Sequence, residues 1–290
     1  MSQRNEIGIF GGDQRQVYMA LKFLKEGYRV FTCRIAQSIK HENCIPLSNL
    51  SELFDQCNIL IGPIPLTRDL VSIASTASSE LTTSNLANLL KKDHYLIGGM
   101  IPSTLTEICS NKGIEYYDLM KNERIAILNA IATAEGTIME AIQTSDQNLH
   151  GSTCLVLGYG RCAKVLASKL KALDLAVTVA ARSEEALAYA EAAGLKTIHL
   201  SKMHNVLPFC DFIFNTIPAL ILDQDALNLV NAHVTIIDIA SAPGGVDYEY
   251  AMQKNLRAKL CLGLPGKVAP RTSADILASE IFGLIKERSD

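Results

Sequence analysis

A chain of 290 residues, 48% hydrophobic and 20% charged, exceeds one small core and is too apolar for disorder, so two domains are expected. Its 27 basic and 30 acidic residues leave a formal charge of -3 without a run of like charges. That balance argues against nucleic acid or an anionic membrane as partner and makes small molecules the default. Met1-Ser2-Gln3-Arg4 leads straight into the strand-like Glu6-Ile7-Gly8-Ile9-Phe10, and no uninterrupted apolar run approaches the roughly 18 residues of a bilayer span, so a cytoplasmic chain is expected. The eight cysteines form no Cys-x-x-Cys pair and adjoin no histidine pair, which predicts reduced, packed thiols and no metal site.

In chain order, Ile7-Gly8-Ile9-Phe10 reads as a strand, Val17 to Leu24 as a helix and Tyr28-Arg29-Val30-Phe31 as a second strand. Asn58-Ile59-Leu60-Ile61-Gly62 and Tyr95-Leu96-Ile97-Gly98-Gly99 are further strands with helical segments between them, the signature of a parallel sheet covered on both faces. From Asn122 to Thr144 the apolar residues fall at helical spacing, predicting one long connecting helix despite Gly136. The pattern then restarts with Thr153-Cys154-Leu155-Val156-Leu157, a glycine turn, a helix over Arg161 to Ala172, and Ala176-Val177-Thr178-Val179-Ala180. Thr197-Ile198, Phe212-Ile213-Phe214, Val234-Thr235-Ile236-Ile237 and Lys259-Leu260-Cys261 supply more strands, and Ser273 to Lys286 is a closing amphipathic helix. The fold class is therefore α/β, two doubly wound parallel-sheet, Rossmann-like domains joined by a long helix. They are expected over 1–130, with 272–290 packing back on it, and over 131–271.

Gly158-Tyr159-Gly160-Arg161-Cys162-Ala163 follows a strand and opens a helix, the context that a dinucleotide fingerprint requires. Gly158 permits the tight turn, Gly160 lets a pyrophosphate approach the backbone, small Ala163 allows close packing, and the helix start at Arg161 and Cys162 offers N–H groups to phosphate. The bland alternative is a turn that binds nothing. NAD would call for an acidic residue at the end of the next strand, where Ala180-Ala181-Arg182-Ser183 stands instead. Arg182 and Ser183 can hold a 2′-phosphate, which points to NADP; otherwise Arg182 is solvated and Ser183 caps the following helix.

The first half carries a second glycine loop, Gly11-Gly12-Asp13-Gln14-Arg15-Gln16, but Asp13 places a carboxylate where a phosphate would sit. This is read as a substrate-side loop in which Asp13 caps the helix and Arg15 reaches a substrate carboxylate or is simply solvated. Three later segments fall at carboxyl ends of strands, where ligands bind: Asn215-Thr216-Ile217-Pro218 near a nicotinamide ribose, Asp238 to Gly245 with Ser241, and Gly263 to Pro270 with Lys267. Glu135, in the linker helix, is a carboxylate for acid or base work or a solvent-facing residue. None of the six histidines lies in these segments, so no histidine-based hydride-transfer pair is expected.

Taken in order, Gly11-Gly12-Asp13-x-Arg15-Gln16, Glu135-Gly136-Thr137-Ile138-Met139, His150-Gly151-Ser152, Leu157-Gly158-x-Gly160-Arg161, Ala181-Arg182-Ser183, Asn215-Thr216-Ile217-Pro218, Pro243-Gly244-Gly245-x-Asp247 and Gly263-Leu264-Pro265-Gly266-x-Val268-Ala269-Pro270 resemble the family of dipicolinate synthase A subunits. The likeness runs over nearly the whole chain and thins between Asn43 and Glu80 and at the extreme C-terminus. It implies NADP-dependent oxidation of dihydrodipicolinate, or of its hydrated precursor 4-hydroxy-tetrahydrodipicolinate, to dipicolinate. The setting it implies is the mother-cell cytoplasm during sporulation of an endospore former, with the flavoprotein-like B subunit of dipicolinate synthase as partner in an oligomeric assembly. A dicarboxylate needs cations, for which Arg15, Lys267 and Arg271 are candidates; Asp13 and Glu135 are the candidates for proton transfer. Two other readings stay open: a different two-domain NADP enzyme of the hydroxyacid or methylenetetrahydrofolate dehydrogenase type, and a non-catalytic protein that holds NADP and a partner.

Overall fold

The computed structural model describes residues 6–75 and 81–289, so the opening Met1 to Arg4 segment lies outside the described residues. The chain divides into two compact units, one formed by Met1–Ala126 with Ala269–Asp290 and one by Ile127–Val268. The first unit runs β1 (Glu6–Phe10), α1 (Gln14–Lys25), β2 (Arg29–Cys33), β3 (Cys44–Leu47), α2 (Leu50–Gln56), β4 (Ile59–Ile61), α3 (Thr83–Leu89), β5 (Tyr95–Gly98), α4 (Ser103–Lys112) and β6 (Glu115–Asp118), then enters α5 (Glu123–Thr144). The second unit takes up α5 and continues with β7 (Thr153–Leu157), α6 (Arg161–Ala172), β8 (Ala176–Ala181), α7 (Glu184–Ala192), β9 (Lys196–His199), β10 (Phe212–Asn215), α8 (Gln224–Leu229), β11 (Thr235–Asp238), α9 (Tyr248–Gln253), β12 (Arg257–Leu260) and α10 (Leu264–Val268). The closing helix α11 (Pro270–Ser289) returns to the first unit.

Both six-stranded sheets are wholly parallel and share one topology, β3-β2-β1-β4-β5-β6 in the first unit and β12-β11-β10-β7-β8-β9 in the second. In each the strand order reverses beside the first strand, between β1 and β4 and between β7 and β10. Such a switch point leaves a crevice at the carboxyl ends of the strands. The two doubly wound sheets expected from the alternating pattern are thus present. The strands β3 and β6 escaped the sequence reading because they are sheet edges: β3 carries Pro46, and in β6 only Asp118 is buried.

Parallel strands are covered on both faces, and the alternation of side chains shows it. In the first unit Ile7 and Ile9 of β1 pack with Met19, Ala20 and Phe23 of α1 and with Leu277, Ala278 and Ile281 of α11. Phe10, Phe31 and Leu60 face the other way, against Leu53 and Phe54 of α2 and Leu86 of α3. The return of α11 is anchored by the Phe23 ring against Phe282 at a centroid distance of 4.6 Å and by a Glu280 carboxylate that accepts from Tyr117 at 2.9 Å and Asn122 at 2.7 Å. In the second unit Cys154 and Val156 face α5 and α6, while Leu155 and Leu157 face the layer of α8 and α9.

Two features of α5 depend on its surroundings. By length and composition it could cross a bilayer, yet more than half of its most apolar window is buried within the chain, with Ala134 and Ala141 in the core of the second unit. Gly136 is required there because a Cβ would lie 2.9 Å from Val268 and 3.0 Å from Leu264. The Gly263 to Pro270 segment, read from sequence as a strand end where ligands bind, contains helix α10 packed against that glycine. Seven cysteines are buried and Cys162 is half-buried; burial pushes the Cys57 and Cys210 thiols up to about 12 and keeps them protonated.

His94 is the one fully enclosed histidine among the described residues. Its Nδ1 accepts from the Lys91 N–H at 3.1 Å, so its Nε2–H donates to the Phe54 carbonyl at 3.0 Å, a neutral ring held in one tautomer. Burial lowers its pKa below the ordinary 6.5. The unfolded imidazole then takes up a proton that the folded one refuses, so stability is complete above the unfolded value and declines as pH falls through it. Urea unfolding between about pH 7 and about pH 5 is expected to show this decline, and His94→Gln to flatten the slope even where it lowers stability overall. An unchanged slope would assign the pH dependence to other groups.

Candidate functional site

The two switch points present the same local unit, strand, glycine turn and helix, with opposite electrostatics. In the second unit Gly158 has φ +93°, where side chains are rarely tolerated, and a Cβ would lie 2.5 Å from Thr216 Oγ1. Its N–H donates to the Ala180 carbonyl at 2.8 Å, which fixes the turn over the end of β8. Gly160 is the N-cap of α6 and supplies no side-chain acceptor, and a Cβ there would meet nothing within 4 Å. The first-turn N–H groups of α6 thus have no side-chain cap, and nothing crowds Gly160, a start suited to a pyrophosphate. Ala163, fully buried, sits among Ala134, Leu166 and Val156 as the fingerprint requires. Cys162 is half-buried beside Thr133, and its thiol is pushed up by burial, which leaves the backbone as its contribution to the loop.

At the end of β8, Ala181 is buried and Arg182 is exposed. Arg182 makes no ion pair or hydrogen bond among the described residues, and no carboxylate occupies the strand end. Ser183 caps α7, its Oγ accepting from Ala186 N–H at 3.3 Å, and its hydroxyl hydrogen stays available to a second acceptor.

The Asn215 to Pro218 and Asp238 to Gly245 segments meet through a buried carboxylate that sequence reading missed. Asp238, with no exposed surface, accepts from Asn215 Nδ2 at 3.0 Å, Ala240 N–H at 2.9 Å, Gly245 N–H at 2.6 Å and the Tyr248 hydroxyl at 2.7 Å. Burial and the Asp238 carboxylate drive the Tyr248 pKa well above its ordinary value, so it remains a donor. A Cβ at Gly245 would lie 2.4 Å from Asn215 Nδ2 and 2.6 Å from the Ala219 carbonyl, which explains why the chain needs glycine there. The Asn215 amide is fully buried, and its Oδ1 accepts from Ile217 N–H at 3.1 Å; Thr216 Oγ1 donates to the Leu157 carbonyl at 2.8 Å. These two side chains hold the loop, and the exposed Pro218 and Ser241 are the surface it presents. Asp247, of the same motif, caps α9.

In the first unit the start of α1 is closed by its own residues. Asp13 and Gln16 form a capping box: the Asp13 carboxylate accepts from Arg15 N–H at 3.0 Å, and Gln16 Oε1 accepts from Asp13 N–H at 3.0 Å. The Arg15 guanidinium is buried, donates to both Asp13 oxygens at 2.9 and 2.8 Å and also bonds the Ile64 carbonyl. Asp13 feels burial, which raises its pKa, but the Arg15 hydrogen bonds and charge outweigh it and hold the carboxyl below its usual range. A phosphate has no place at this helix start.

Glu135 lies exposed on α5 in an ion pair with Lys169 at 3.0 Å, whereas the buried carboxylate of that helix is Glu140, paired with Lys259 at 2.6 Å. Lys267, on α10, and Arg271, in the first turn of α11, are both exposed, the former in the second unit and the latter in the first. Among the described residues no group of three or more His, Cys, Asp or Glu is arranged to hold a metal ion.

Comparison with known proteins agrees with this division of labour. Residues 6–120 match the family profile of the N-terminal domain of the dipicolinate synthase A subunit, and residues 119–262 match the NAD binding domain of D-isomer specific 2-hydroxyacid dehydrogenases. With the uncapped α6 start, the second match supports a nicotinamide dinucleotide as cofactor and an oxidoreductase as the class. The chain is 33% identical over 293 residues to the dipicolinate synthase A subunit of Bacillus subtilis (strain 168), covering 97% of this chain and 96% of that protein. Crystal structures of the dipicolinate synthase A subunit from Bacillus halodurans (31% identity, 98% of each chain, TM-score 0.88) and Bacillus subtilis (32% identity, 99% of this chain and 97% of that one, TM-score 0.85) share the whole architecture. By identity, coverage and fold, this chain belongs to the family of dipicolinate synthase A subunits.

Proposed function

We propose that this chain is the NADP-dependent component of a dipicolinate synthase, oxidising dihydrodipicolinate, or its hydrated precursor 4-hydroxy-tetrahydrodipicolinate with loss of water, to dipicolinate. The observation that carries the cofactor choice is Arg182: an exposed guanidinium without a partner among the described residues, at the strand end where NAD would need a carboxylate. The substrate, the partnership with a B subunit and the setting, the mother-cell cytoplasm during sporulation, rest on the full-length similarity to the dipicolinate synthase A subunit.

When bound, NADP⁺ would supply the hydride acceptor that a dihydropyridine ring needs to become aromatic, one ring proton being lost with the hydride. The chain's own contribution is placement. The α6 start and Gly160 would hold the pyrophosphate, Arg182 and Ser183 the 2′-phosphate, and the Asp238 hub sets the Asn215 to Pro218 turn from below. Aromatisation supplies driving force, so alignment matters more than a strong base. Asp13 stays ionised beside Arg15 and is the weak proton acceptor that the first unit offers; Glu135, exposed and paired with Lys169, is less suited to that role.

A second reading is favoured by the same ion pairs: with both nominated carboxylates already bound to cations, the chain holds NADP while the B subunit completes the reaction. Reduced-nicotinamide absorbance, followed with purified chain, NADP⁺ and freshly generated dihydrodipicolinate, separates the two. Turnover by the chain alone is expected from the first reading; turnover only once the B subunit is added supports the second, and none in either mixture removes the assigned reaction. Arg182→Asp is expected to lower the preference for NADP over NAD by about 10- to 100-fold, the range of one charge-assisted contact. Equal relative affinities in that variant and the unaltered chain would remove the 2′-phosphate assignment.

A further inference from the structure

The first unit has its own pocket at the β1/β4 switch point, with a volume of about 370 Å³, within the size range of small-ligand sites. It lies beside the glycine turn before α1 and under the long connection from β4 to α3. The described residues of that connection are tied down: Gly12 N–H donates to the Ala74 carbonyl at 2.7 Å, Ala74 N–H to Leu66 at 2.8 Å and Ile73 N–H to Leu81 at 2.7 Å. The walls are apolar and stiff, with Pro63, Ile64 and Pro65 on one segment and Ile73 and Ala74 on another, surfaces suited to the faces of a flat ring.

Four charged side chains line the pocket, and three of them are answered within the protein. Asp13 and Arg15 neutralise each other in a bidentate pair. Asp69 Oδ1 accepts from the N–H groups of Val71 and Ser72 at 2.9 and 2.7 Å and from the Thr67 hydroxyl at 3.1 Å, which pulls its pKa down to about 2. Arg68 is exposed, lines the same pocket and makes no ion pair or hydrogen bond among the described residues. It is close enough for its charge to act on Asp13. A guanidinium without an acceptor among the described residues, lining a preformed apolar slot, fits the carboxylate of a planar acid.

We propose that this pocket is a carboxylate-recognition site for the planar dicarboxylate ring, with Arg68 as its cation and the Asp13–Arg15 pair as a rigid wall rather than a ligand. This builds on the dicarboxylate reading of the substrate and adds to it the residue that recognises the acid. Arg15 is excluded from that task by its burial and its three bonds to Asp13 and Ile64.

The test is calorimetric titration of the full chain with dipicolinate, for the unaltered protein, Arg68→Ala and Arg68→Lys, with NADP⁺ titrated separately. Arg68→Ala is expected to weaken dipicolinate about 10- to 100-fold and leave NADP⁺ affinity unchanged, and Arg68→Lys to recover part of the loss as a point charge. Dipicolinate affinity unchanged in Arg68→Ala overturns the site while the turnover assay still stands for the reaction. Failure of the unaltered chain to bind dipicolinate also overturns the site, and turnover of dihydrodipicolinate then decides the reaction independently.

Discussion

The first N–H groups of an α-helix have no partners within the helix, and each must find an acceptor or a ligand. The two halves of this chain meet that demand at equivalent places in equivalent sheets and answer it in opposite ways. At α1 the Asp13 carboxylate and Gln16 amide close the helix start, and Arg15 locks the carboxylate in place. At α6 the cap is Gly160, which offers no acceptor and leaves the space in front of the helix open. One carboxylate at one position separates a helix start closed by its own side chains from one without a side-chain cap.

The loops around the second crevice are held by a single buried anion. Asp238 collects four donors from Asn215, Ala240, Gly245 and Tyr248, so three separated stretches of chain converge on its two oxygens. A buried carboxylate is tolerable only when it is this fully hydrogen-bonded. The arrangement explains why asparagine and two adjacent glycines stand in motifs that, read along the chain, point to a ligand: their first duty is to the carboxylate, and the turn they shape is what faces outward.

The cores show how far each half depends on distant sequence. Parallel sheets need cover on both faces, and the first unit has too few helices between its own strands to provide it; α11, more than a hundred residues downstream of β6, completes the layer beside α1. Dehydrogenase-type binding in the second unit and a family-specific first unit agree with this economy, since the dinucleotide machinery is local to residues 127–268 and the first unit is built by the two ends of the chain.

What could be read from the residues alone was the local chemistry. The Gly158 to Ala163 loop, Arg182 after β8, both alternating sheets and the span of α5 follow from neighbours in sequence, because turn geometry, capping and side-chain periodicity act over a few residues. Edge strands β3 and β6 were hidden, since a strand covered on one side carries less apolar signal. The roles of individual charges were hidden as well. Whether Arg15 reaches a ligand depended on the Ile64 carbonyl 49 residues away, whether Glu135 or Glu140 is the buried carboxylate of α5 depended on Lys169 and Lys259, and Asp238 became a hub only once β10 and β11 paired. Burial and pairing are properties of a three-dimensional neighbourhood, so the sequence determined which groups the chain owns and where its glycine loops lie, while only the tertiary structure decided which charges are already answered and which, such as Arg68 and Arg182, face outward without a partner among the described residues.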